Sequence, residues 1–356
     1  MSVNLYVIST QDFTGKSAVC VALLKRMQTD GFKVGYLKPF SSAARLIAES
    51  RIDEDARFVK QTFDLPEPIE ALAPVVFSNQ NLRLHLTGSK PEDYAKIIRD
   101  AATGVEQGRD VVVMEGSANF REGYVVGLAP SKMVELLDAQ VVAVVGYRHS
   151  LQVVDDALTA KTRLGDRLKG IIINMVPGDR TVYIHELVIP YLAQQGIKTL
   201  AMLPHQSILS SLSVGEINDA LEGKVICYGC YNDLVENLVV ASMGVEHSLE
   251  QFRRVKNKAV IVGADRPDIQ MDALDTSTKA LVLTGDMDPA PQVVQRAEVD
   301  DVAIIMSSFD TLTTIERLEQ LFERSRFTQV EKVRHFETLL NDTMDFDHFY
   351  RDIGLI

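Results

Sequence analysis

The sequence is poor in cysteine, in long apolar runs and in positive charge, and each shortage excludes a class of protein. Its three cysteines, Cys20, Cys227 and Cys230, are few and odd in number, which argues against a disulfide framework and agrees with a reducing compartment. The longest apolar runs, such as 141–145, are far shorter than the roughly 20 residues of a membrane-spanning helix. No basic segment precedes an apolar stretch at the N-terminus, so we predict no secretory signal and a cytoplasmic protein.

The shortage of positive charge also argues against a nucleic-acid partner. Asp and Glu number 49 against 37 Lys and Arg, which gives a formal net charge of −12. Because phosphate backbones are bound through clustered basic side chains, and no such cluster offsets this charge, we predict no binding to nucleic acid and none to membranes.

Two of the cysteines form an isolated C-x-x-C pair at Cys227 and Cys230. A zinc site needs four ligands, and the neighbouring sequence offers no second pair. We therefore interpret both as buried small side chains.

What the chain does have is a regular alternation of short apolar runs and helical patterns. A chain of 356 residues is too long for one ordinary core, so two domains are expected. The runs show little polar alternation, which is typical of a parallel sheet covered on both faces. The predicted strands are 3–9, 33–37, 110–115, 140–146, 168–174 and 198–202. The predicted helices between them are 15–30, 91–107, 150–164 and 181–195.

The organisation restarts after Leu212 with a shorter β/α alternation. Its predicted helices are 214–221 and 311–324, and its predicted strands are 237–242, 258–262, 280–284 and 302–306. We therefore predict a P-loop NTPase-like α/β domain over 1–212, a smaller α/β domain over 213–325 and a helical tail over 326–356. The sequence leaves open whether this acidic and aromatic tail packs on either domain or on a partner.

The most informative segment for chemistry is the strand that ends at Ser9 and the turn that follows it, Thr10-Gln-Asp-Phe-Thr-Gly15-Lys16-Ser17. A glycine lets the backbone approach a phosphate, a lysine reaches the β- and γ-phosphates, and a serine hydroxyl ligates Mg²⁺. The segment is thus predicted to bind nucleotide. Thr10 departs from the usual pattern, which has glycine there, and the alternative is a plain strand-to-helix turn.

Two further groups of polar residues follow in the same region. Lys38 comes at the carboxyl end of the second predicted strand, where Pro39 stops the strand, so it is either an anion ligand or a solvated lysine. The run Asp53-Glu54-Asp55 opens a helix that continues to Phe63. It is interpreted either as helix capping or as binding Mg²⁺, which takes one or two carboxylates when it is shared with phosphates.

Two more strands end in polar side chains. Glu115, at the end of an apolar strand and followed by Gly116, is the stronger metal candidate. Asn174 ends the strand that begins at Leu168, and its amide can both donate to and accept from an adenine edge. Taken alone, such an asparagine is also interpreted as a turn residue.

Together these residues carry a family resemblance. The order T-G-K-S, K-P, D-E-D-A, V-V-V-M-E-G and G-I-I-I-N-x-V-P resembles the dethiobiotin synthetase-like ATPase domain across residues 1–212. The form at the N-terminus of long phosphotransacetylases is most similar, and there a domain named for an Asp-Arg-Thr-Gly-Gly motif follows. Residues 213–325 resemble that domain through Asp265-Arg266, although Pro267 and Asp268 replace the rest of the motif.

The resemblance implies a role for each matched residue. It implies ATP and Mg²⁺ as cofactors, Lys16 and Lys38 as catalytic groups, and a nucleotide contact by Asn174. It further implies metal binding by Ser17, Asp55 and Glu115, and nucleotide binding by the loop and first helical turn, Thr14, Gly15, Lys16, Ser17 and Ala18. A homodimer is also implied, because relatives place the nucleotide near a subunit interface.

The departures from the family bear on function. Dethiobiotin synthetases continue after Glu-Gly with a small glycine-rich turn, whereas this chain has Ser117-Ala-Asn-Phe120-Arg121. Such a bulky turn is expected to alter or remove the diamine pocket, and no phosphotransacetylase activity is expected from this polypeptide. We therefore favour a nucleotide-binding regulatory protein whose second domain senses a small acid or metabolite. The alternative is an ATP-dependent ligase or cyclase of the dethiobiotin or cobyrinate type, which activates a carboxylate or carbamate by phosphoryl transfer.

Overall fold

The structure, a computed structural model, describes residues 2–42, 45–47, 50–88, 92–241, 245–285, 287–323, 327 and 329–356. The chain divides into two compact units, Met1–His205 with Phe327–Ile356, and Gln206–Arg326. The first unit is discontinuous in sequence, because its last segment follows the whole of the second.

The first unit is built from strands and helices that alternate along the chain. Its strands are β1 Val3–Ser9, β2 Val34–Leu37, β3 Arg45–Ile47, β4 Ser50–Ile52, β5 Val111–Glu115, β6 Gln140–Gly146, β7 Leu168–Val176 and β8 Thr199–Pro204. Its helices are α1 Lys16–Thr29, α2 Glu54–Phe63, α3 Ile69–Leu72, α4 Asn79–Leu86, α5 Tyr94–Glu106, α6 Pro130–Leu136, α7 Ser150–Leu164, α8 Thr181–Tyr183 and α9 Ile189–Gln194, with α15 Val330–Thr343 and α16 Phe346–Ile353 from the tail. A π-helical segment, Ile184–Val188, joins α8 to α9.

Six of these strands form one sheet in the order β2-β5-β1-β6-β7-β8. Every neighbouring pair in it is parallel, and all the residues of β2 and β5 are buried, as the apolar runs predicted. The order reverses direction at β1, since β2 and β5 lie on one side of it and β6 to β8 on the other. In open parallel sheets such a reversal opens a crevice at the carboxyl ends of the strands, which is where β1 meets α1.

The helix α1 is buried on most of its circumference, with eight buried residues between Ala18 and Met27. A helix that is apolar on nearly all sides must be covered on more than one side. The tail supplies the second cover: the Arg26 guanidinium lies 4.6 Å from the Phe346 ring centroid, and the Tyr350 hydroxyl donates to Asp30 Oδ2 at 2.7 Å. The sequence left the packing of the tail open, and the structure places it on the first unit.

The second unit has its own sheet with helices on both faces. Its strands are β9 Leu212–Ser213, β10 Lys224–Cys227, β11 Leu234–Val235, β12 Asn237–Val240, β13 Lys258–Gly263, β14 Thr278–Thr284 and β15 Ala303–Met306, and its helices are α10 Val214–Leu221, α11 Val245–Arg254, α12 Pro267–Leu274, α13 Pro291–Val299 and α14 Thr311–Glu323. The main sheet has the order β10-β15-β14-β13-β12, in which only β10 is antiparallel to its neighbour. Side chains of α11, α12 and α13 share one core cluster, and those of α10 and α14 share the other.

The predicted α/β fold is confirmed, and several elements match their predicted bounds to the residue. The strand β10 was not predicted, because Cys227 is the one buried residue of its four and the segment lies between Gly223 and Gly229. The prediction that both cysteines of the C-x-x-C pair are buried is wrong for Cys230. Cys227 lies in β10 and is buried, whereas Cys230 is exposed in the turn beyond it and its Sγ donates to Asp301 Oδ2 at 2.6 Å.

Some predictions concern positions that the structure leaves undescribed. The predicted element ends at Pro91, Ser242 and Arg324, and the predicted boundary between residues 325 and 326, lie outside the described residues. Within the described ranges, no helix has both the length and the apolar character needed to span a bilayer.

Candidate functional site

The turn between β1 and α1 forms a loop that brings the first turn of α1 to the carboxyl edge of the sheet. Gly15 has a φ of +86°, and a Cβ added there would lie 2.5 Å from Asn174 Nδ2. Glycine is therefore required both by the left-handed backbone and by the lack of space. The Thr14 hydroxyl donates to Ser9 Oγ at 2.8 Å, and Ala18 is buried in the first turn of α1.

Asn174, which the sequence associates with adenine, holds this loop in place in the structure. Its Nδ2 donates to the Thr14 carbonyl at 2.9 Å, and its Oδ1 accepts from the Met175 amide at 2.9 Å. Both halves of the amide are thus engaged with backbone groups. The adenine contact stays a prediction.

Glu115 is the centre of the site. It ends β5, is completely buried, and both of its carboxylate oxygens accept hydrogen bonds. Oε1 accepts from Lys16 Nζ at 2.5 Å and from Ser17 Oγ at 2.7 Å. Oε2 accepts from the Tyr36 hydroxyl at 2.9 Å. The structure therefore joins the predicted phosphate-binding lysine, the predicted metal-binding serine and the predicted metal-binding glutamate in one network.

Lys38 is the second cation of the site. It directly follows β2 and is only 7% exposed, so the interpretation as a solvated strand-end lysine is wrong. Its Nζ lies 2.6 Å from Asp55 Oδ2, 2.9 Å from Asp53 Oδ2 and 3.7 Å from Glu115 Oε1. The predicted anion ligand is thus held by three carboxylates in this structure.

The two aspartates that hold Lys38 have different surroundings. Asp53 is buried, caps α2 by accepting from the Ala56 amide at 2.9 Å, and also accepts from Ser41 Oγ at 2.6 Å. Asp55 lies in the first turn of α2 with 31% of its side chain exposed. Of the alternatives that the sequence left open for this run, the structure shows helix capping at Asp53, and Mg²⁺ binding by Asp55 stays a prediction.

Charge pairing decides the protonation of these groups. Burial lowers the pKa of the Lys38 ammonium, but Glu115, Asp55 and Asp53 outweigh this and hold the pKa well above its ordinary value. Burial raises the pKa of Glu115, yet Lys16 and Lys38 outweigh it and hold the pKa below its usual range. Burial also raises the pKa of Asp55, more than Lys38 lowers it. The pair of Glu115 and Lys38 is therefore ionised at neutral pH.

The loop between β1 and α1 is also anchored to α7, by a contact that the sequence did not predict. Asp156 on α7 accepts through Oδ2 from Thr10 Oγ1 at 3.0 Å and from Gln11 Nε2 at 2.5 Å. The position where glycine was expected therefore carries a hydroxyl that anchors the loop to α7. A threonine and a glutamine in a phosphate loop give the only sequence signal for this contact, since Asp156 is one polar residue among many on its helix.

The turn after Glu115 is closed by its own contacts. Asn119 Nδ2 donates to Asp12 Oδ1 at 2.8 Å, which ties the turn to the phosphate loop. Phe120 is buried, and Arg163 both lies over its ring at 5.6 Å and donates to its carbonyl oxygen at 3.0 Å. Glu122 accepts from Ser42 Oγ and from the Ala118 amide. The turn therefore joins the β1 and β2 edges of the crevice.

The residues present fit a magnesium ion. Mg²⁺ prefers oxygen ligands, and it usually takes one or two carboxylates together with phosphates and waters. Ser17 Oγ and Glu115 Oε1 already converge, and Asp55 lies across Lys38 from them. Within the part of the chain that the structure describes, no group of three or more His, Cys, Asp and Glu side chains is placed to hold a metal by itself.

The Asp-Arg motif of the second unit lies at the equivalent edge of the second sheet. Asp265 and Arg266 follow β13 after one residue, Ala264, and Pro267 begins α12. A Cβ on Gly263 would meet Asp265 Oδ1 at 2.4 Å, so the aspartate side chain lies over that glycine. At the end of β14, the Thr284 hydroxyl is 2.7 Å from the Thr311 hydroxyl at the start of α14.

Two family models match the chain in succession. A model described as an AAA domain matches residues 3–213, and one described as a DRTGG domain matches residues 216–321. The first match spans more than half of the chain.

The curated relatives fall into two groups. A phosphate acetyltransferase of Nitrosomonas europaea is 20% identical over 94% of this chain and 50% of its own length, and one of Synechocystis sp. is 24% identical over 97% and 51%. An ATP-dependent dethiobiotin synthetase of Clostridium kluyveri is 25% identical over 50% of this chain and 77% of its own length. The chain spans about half the length of the phosphate acetyltransferases it matches.

The solved structures give weaker likenesses. One is the regulatory region of a Clostridium perfringens pyrophosphatase, which contains CBS and DRTGG domains and the activator diadenosine tetraphosphate. The match covers 44% of this chain and 76% of that chain, with 18% identity and a TM-score of 0.29. The signal recognition particle receptor of Elizabethkingia anophelis with GDP covers 57% of each chain, at 13% identity and a TM-score of 0.39. Because both scores are low, the fold assignment rests on the strand order and the family matches.

The chain belongs to the AAA family of dethiobiotin synthetase-like P-loop domains, here followed by a DRTGG domain, as in the N-terminal region of phosphate acetyltransferases.

Proposed function

We propose that the first unit binds ATP together with Mg²⁺, and that the protein has a regulatory role in which the DRTGG domain senses a small acid or metabolite. The observation that carries nucleotide binding is the network at Glu115, where Lys16, Ser17 and Lys38 converge at the end of β5. A strand, a glycine with left-handed backbone and a helix N-terminus directed at that network complete an anion site.

Each residue has a stated task in this proposal. The first turn of α1 and the backbone at Gly15 would hold the phosphates, and Lys16 would exchange Glu115 for the β- and γ-phosphates. Ser17, Glu115 and Asp55 would hold Mg²⁺, which neutralises phosphate charge when bound. Lys38 would lie beside the terminal phosphoryl group.

Two observations support a regulatory role over that of a ligase. The turn with Asn119, Phe120 and Glu122 is bulky and held by hydrogen bonds, in the segment where the family resemblance implies the diamine pocket. The DRTGG domain adds a second α/β unit that a dethiobiotin synthetase-type reaction does not need. The position of Lys38 beside three carboxylates is the observation that favours the ligase, because a transferred phosphoryl group needs such a cation.

The test of nucleotide binding compares thermal unfolding with and without Mg-ATP. A ligand at about 100 times its Kd adds roughly 2.7 kcal/mol, which raises the Tm by several degrees. We expect this rise in the wild type and in Lys25→Ala, an exposed lysine on α1, and no rise in Lys16→Ala. Equal behaviour of the two lysine variants, or no rise in any protein, would contradict the proposal.

The regulatory role is tested by phosphate release. A ligase should release phosphate from ATP faster when its carboxylate or carbamate substrate is added, whereas a sensor should bind a small acid without that acceleration. We expect no acceleration by a panel of small carboxylic acids and diamines. The homodimer that the family resemblance implies belongs to the same proposal and is checked by light scattering.

A further inference from the structure

A tyrosine that no pattern singled out contacts the centre of the site. Tyr36 lies in β2 and is completely buried, and its hydroxyl donates to Glu115 Oε2 at 2.9 Å. In the parallel pair of β2 and β5, Tyr36 is in register with Val113, two residues before Glu115. Side chains two apart on a strand share a face, so the phenol reaches along that face to the carboxylate.

The tyrosine divides the two oxygens of Glu115 between separate tasks. Oε2 is held by the phenol, while Oε1 faces Lys16 and Ser17 on the loop. Among the described residues, the Tyr36 hydroxyl is the one recorded hydrogen-bond donor to Oε2. Without it, a buried carboxylate oxygen would lose its donor and the carboxylate would be free to turn.

The charge of the site makes the direction of that carboxylate important. Three carboxylates, from Asp53, Asp55 and Glu115, face two ammonium groups, from Lys16 and Lys38. The phosphates of a nucleotide would add further negative charge to this cluster. Binding without a divalent cation is therefore opposed, and binding with one depends on an oxygen directed at Ser17.

We infer that Tyr36 is a positioning residue that couples nucleotide binding at this site to Mg²⁺, by holding Glu115 with one oxygen directed at Ser17. The inference rests on the proposed function and names a residue outside the family motif. Some groups orient a metal ligand by bonding to the ligand atom that does not contact the metal. Removing such a group commonly weakens metal binding by about tenfold or more.

The test measures the Kd of ATP by isothermal titration calorimetry, once with saturating Mg²⁺ and once in EDTA. The variant is Tyr36→Phe, which removes only the hydroxyl. The matched control is Tyr6→Phe, because Tyr6 is an equally buried strand tyrosine whose side chain packs over Gly116 and bonds to Ser117 instead of Glu115. We expect Tyr36→Phe to weaken binding with Mg²⁺ about tenfold and to leave binding in EDTA within twofold of the wild type. Tyr6→Phe should match the wild type in both conditions.

Three results would overturn the inference. A wild-type Kd with Mg²⁺ in Tyr36→Phe shows that the hydroxyl does not position the metal ligand. Equal weakening with and without Mg²⁺ shows a structural role only. If the wild type itself does not bind ATP with Mg²⁺, the proposed function fails as well, so the two failures are told apart by the wild-type titration.

Discussion

Both sheets of the molecule bury a lysine, but at opposite ends of their strands and among different partners. Lys38 follows the carboxyl end of β2 and is surrounded by Asp53, Asp55 and Glu115. Lys258 is the first residue of β13, is completely buried, and donates to neutral groups, the carbonyls of Val255 and Ser277 and the Thr276 hydroxyl.

The two lysines therefore lie in different chemical surroundings. At the carboxyl edge of the first sheet, buried charges of both signs lie together next to a loop that can take an anion. At the amino edge of the second sheet, one buried cation joins the start of β13 to the segments that follow α11 and α12, through neutral oxygens. The position along the strand and the charge of the partners, more than burial itself, therefore distinguish the lysine of the candidate site from Lys258.

The largest expected effect comes from Lys38→Met. This change leaves the buried Asp53 without its cation and removes one of the two cations beside Glu115. Removing one partner of a buried pair costs about 3–5 kcal/mol of unfolding free energy. Lys258→Met is the matched control, since it leaves only neutral acceptors without a donor. It should cost at most about 1–2 kcal/mol at neutral pH, because loss of the buried charge offsets part of that cost. Hydrogen exchange of strand amides in each unit measures both, and equal losses would remove the distinction.

The second effect is a change with pH in the stability of the second unit, and it depends on Lys258. Burial lowers its pKa from about 10.5 to about 8, so the folded state binds the proton less tightly than the unfolded state. The cost of this charge is fully present below pH 8 and is relieved as the pH rises towards 10.5. Stability of the second unit should therefore rise with pH in that window, by at most about 3 kcal/mol relative to Lys258→Met. Urea titrations at pH 7.5, 8.5 and 9.5 check this, and parallel curves for the two proteins would refute it.

The smallest effect concerns the assignment of the tail to the first unit. Tyr350→Phe removes the hydrogen bond from the tail to Asp30 and should cost about 1–2 kcal/mol, because the acceptor is charged. Amide exchange should quicken in the first unit alone. Tyr228→Phe, at an exposed tyrosine of the second unit, should leave amide exchange unchanged in both units. Faster exchange in the second unit of Tyr350→Phe would contradict the assignment of the tail.

The sequence predicted the fold well because buried parallel strands have a strong local signal. The runs 3–9 and 140–146 are mostly apolar, and the structure has strands with those bounds. The strand β10 lacks this signal, since Lys224 is exposed and two of its four residues are only half buried. Its antiparallel place beside β15 depends on a contact about 80 residues away, which no local pattern carries.

The site was predictable where a residue type is tied to a motif and unpredictable where a contact depends on three dimensions. Lys16, Ser17 and Glu115 follow from a loop pattern and from a strand ending in a carboxylate, and the structure brings them together. Tyr36 was interpreted only as part of an apolar strand. A signal was present, because a tyrosine in a fully buried strand needs a partner for its hydroxyl, but the sequence does not name that partner. Asp156 was missed for the same reason.

The discontinuity of the first unit sets an order of events during synthesis. The ribosome delivers β1 to β8 before the second unit, and residues 327–356 only after it. Until that segment emerges, α1 lacks the cover of α15 and α16 and keeps an apolar side exposed. The second unit has its core in one continuous stretch of chain, so it can finish folding while the first unit is still incomplete.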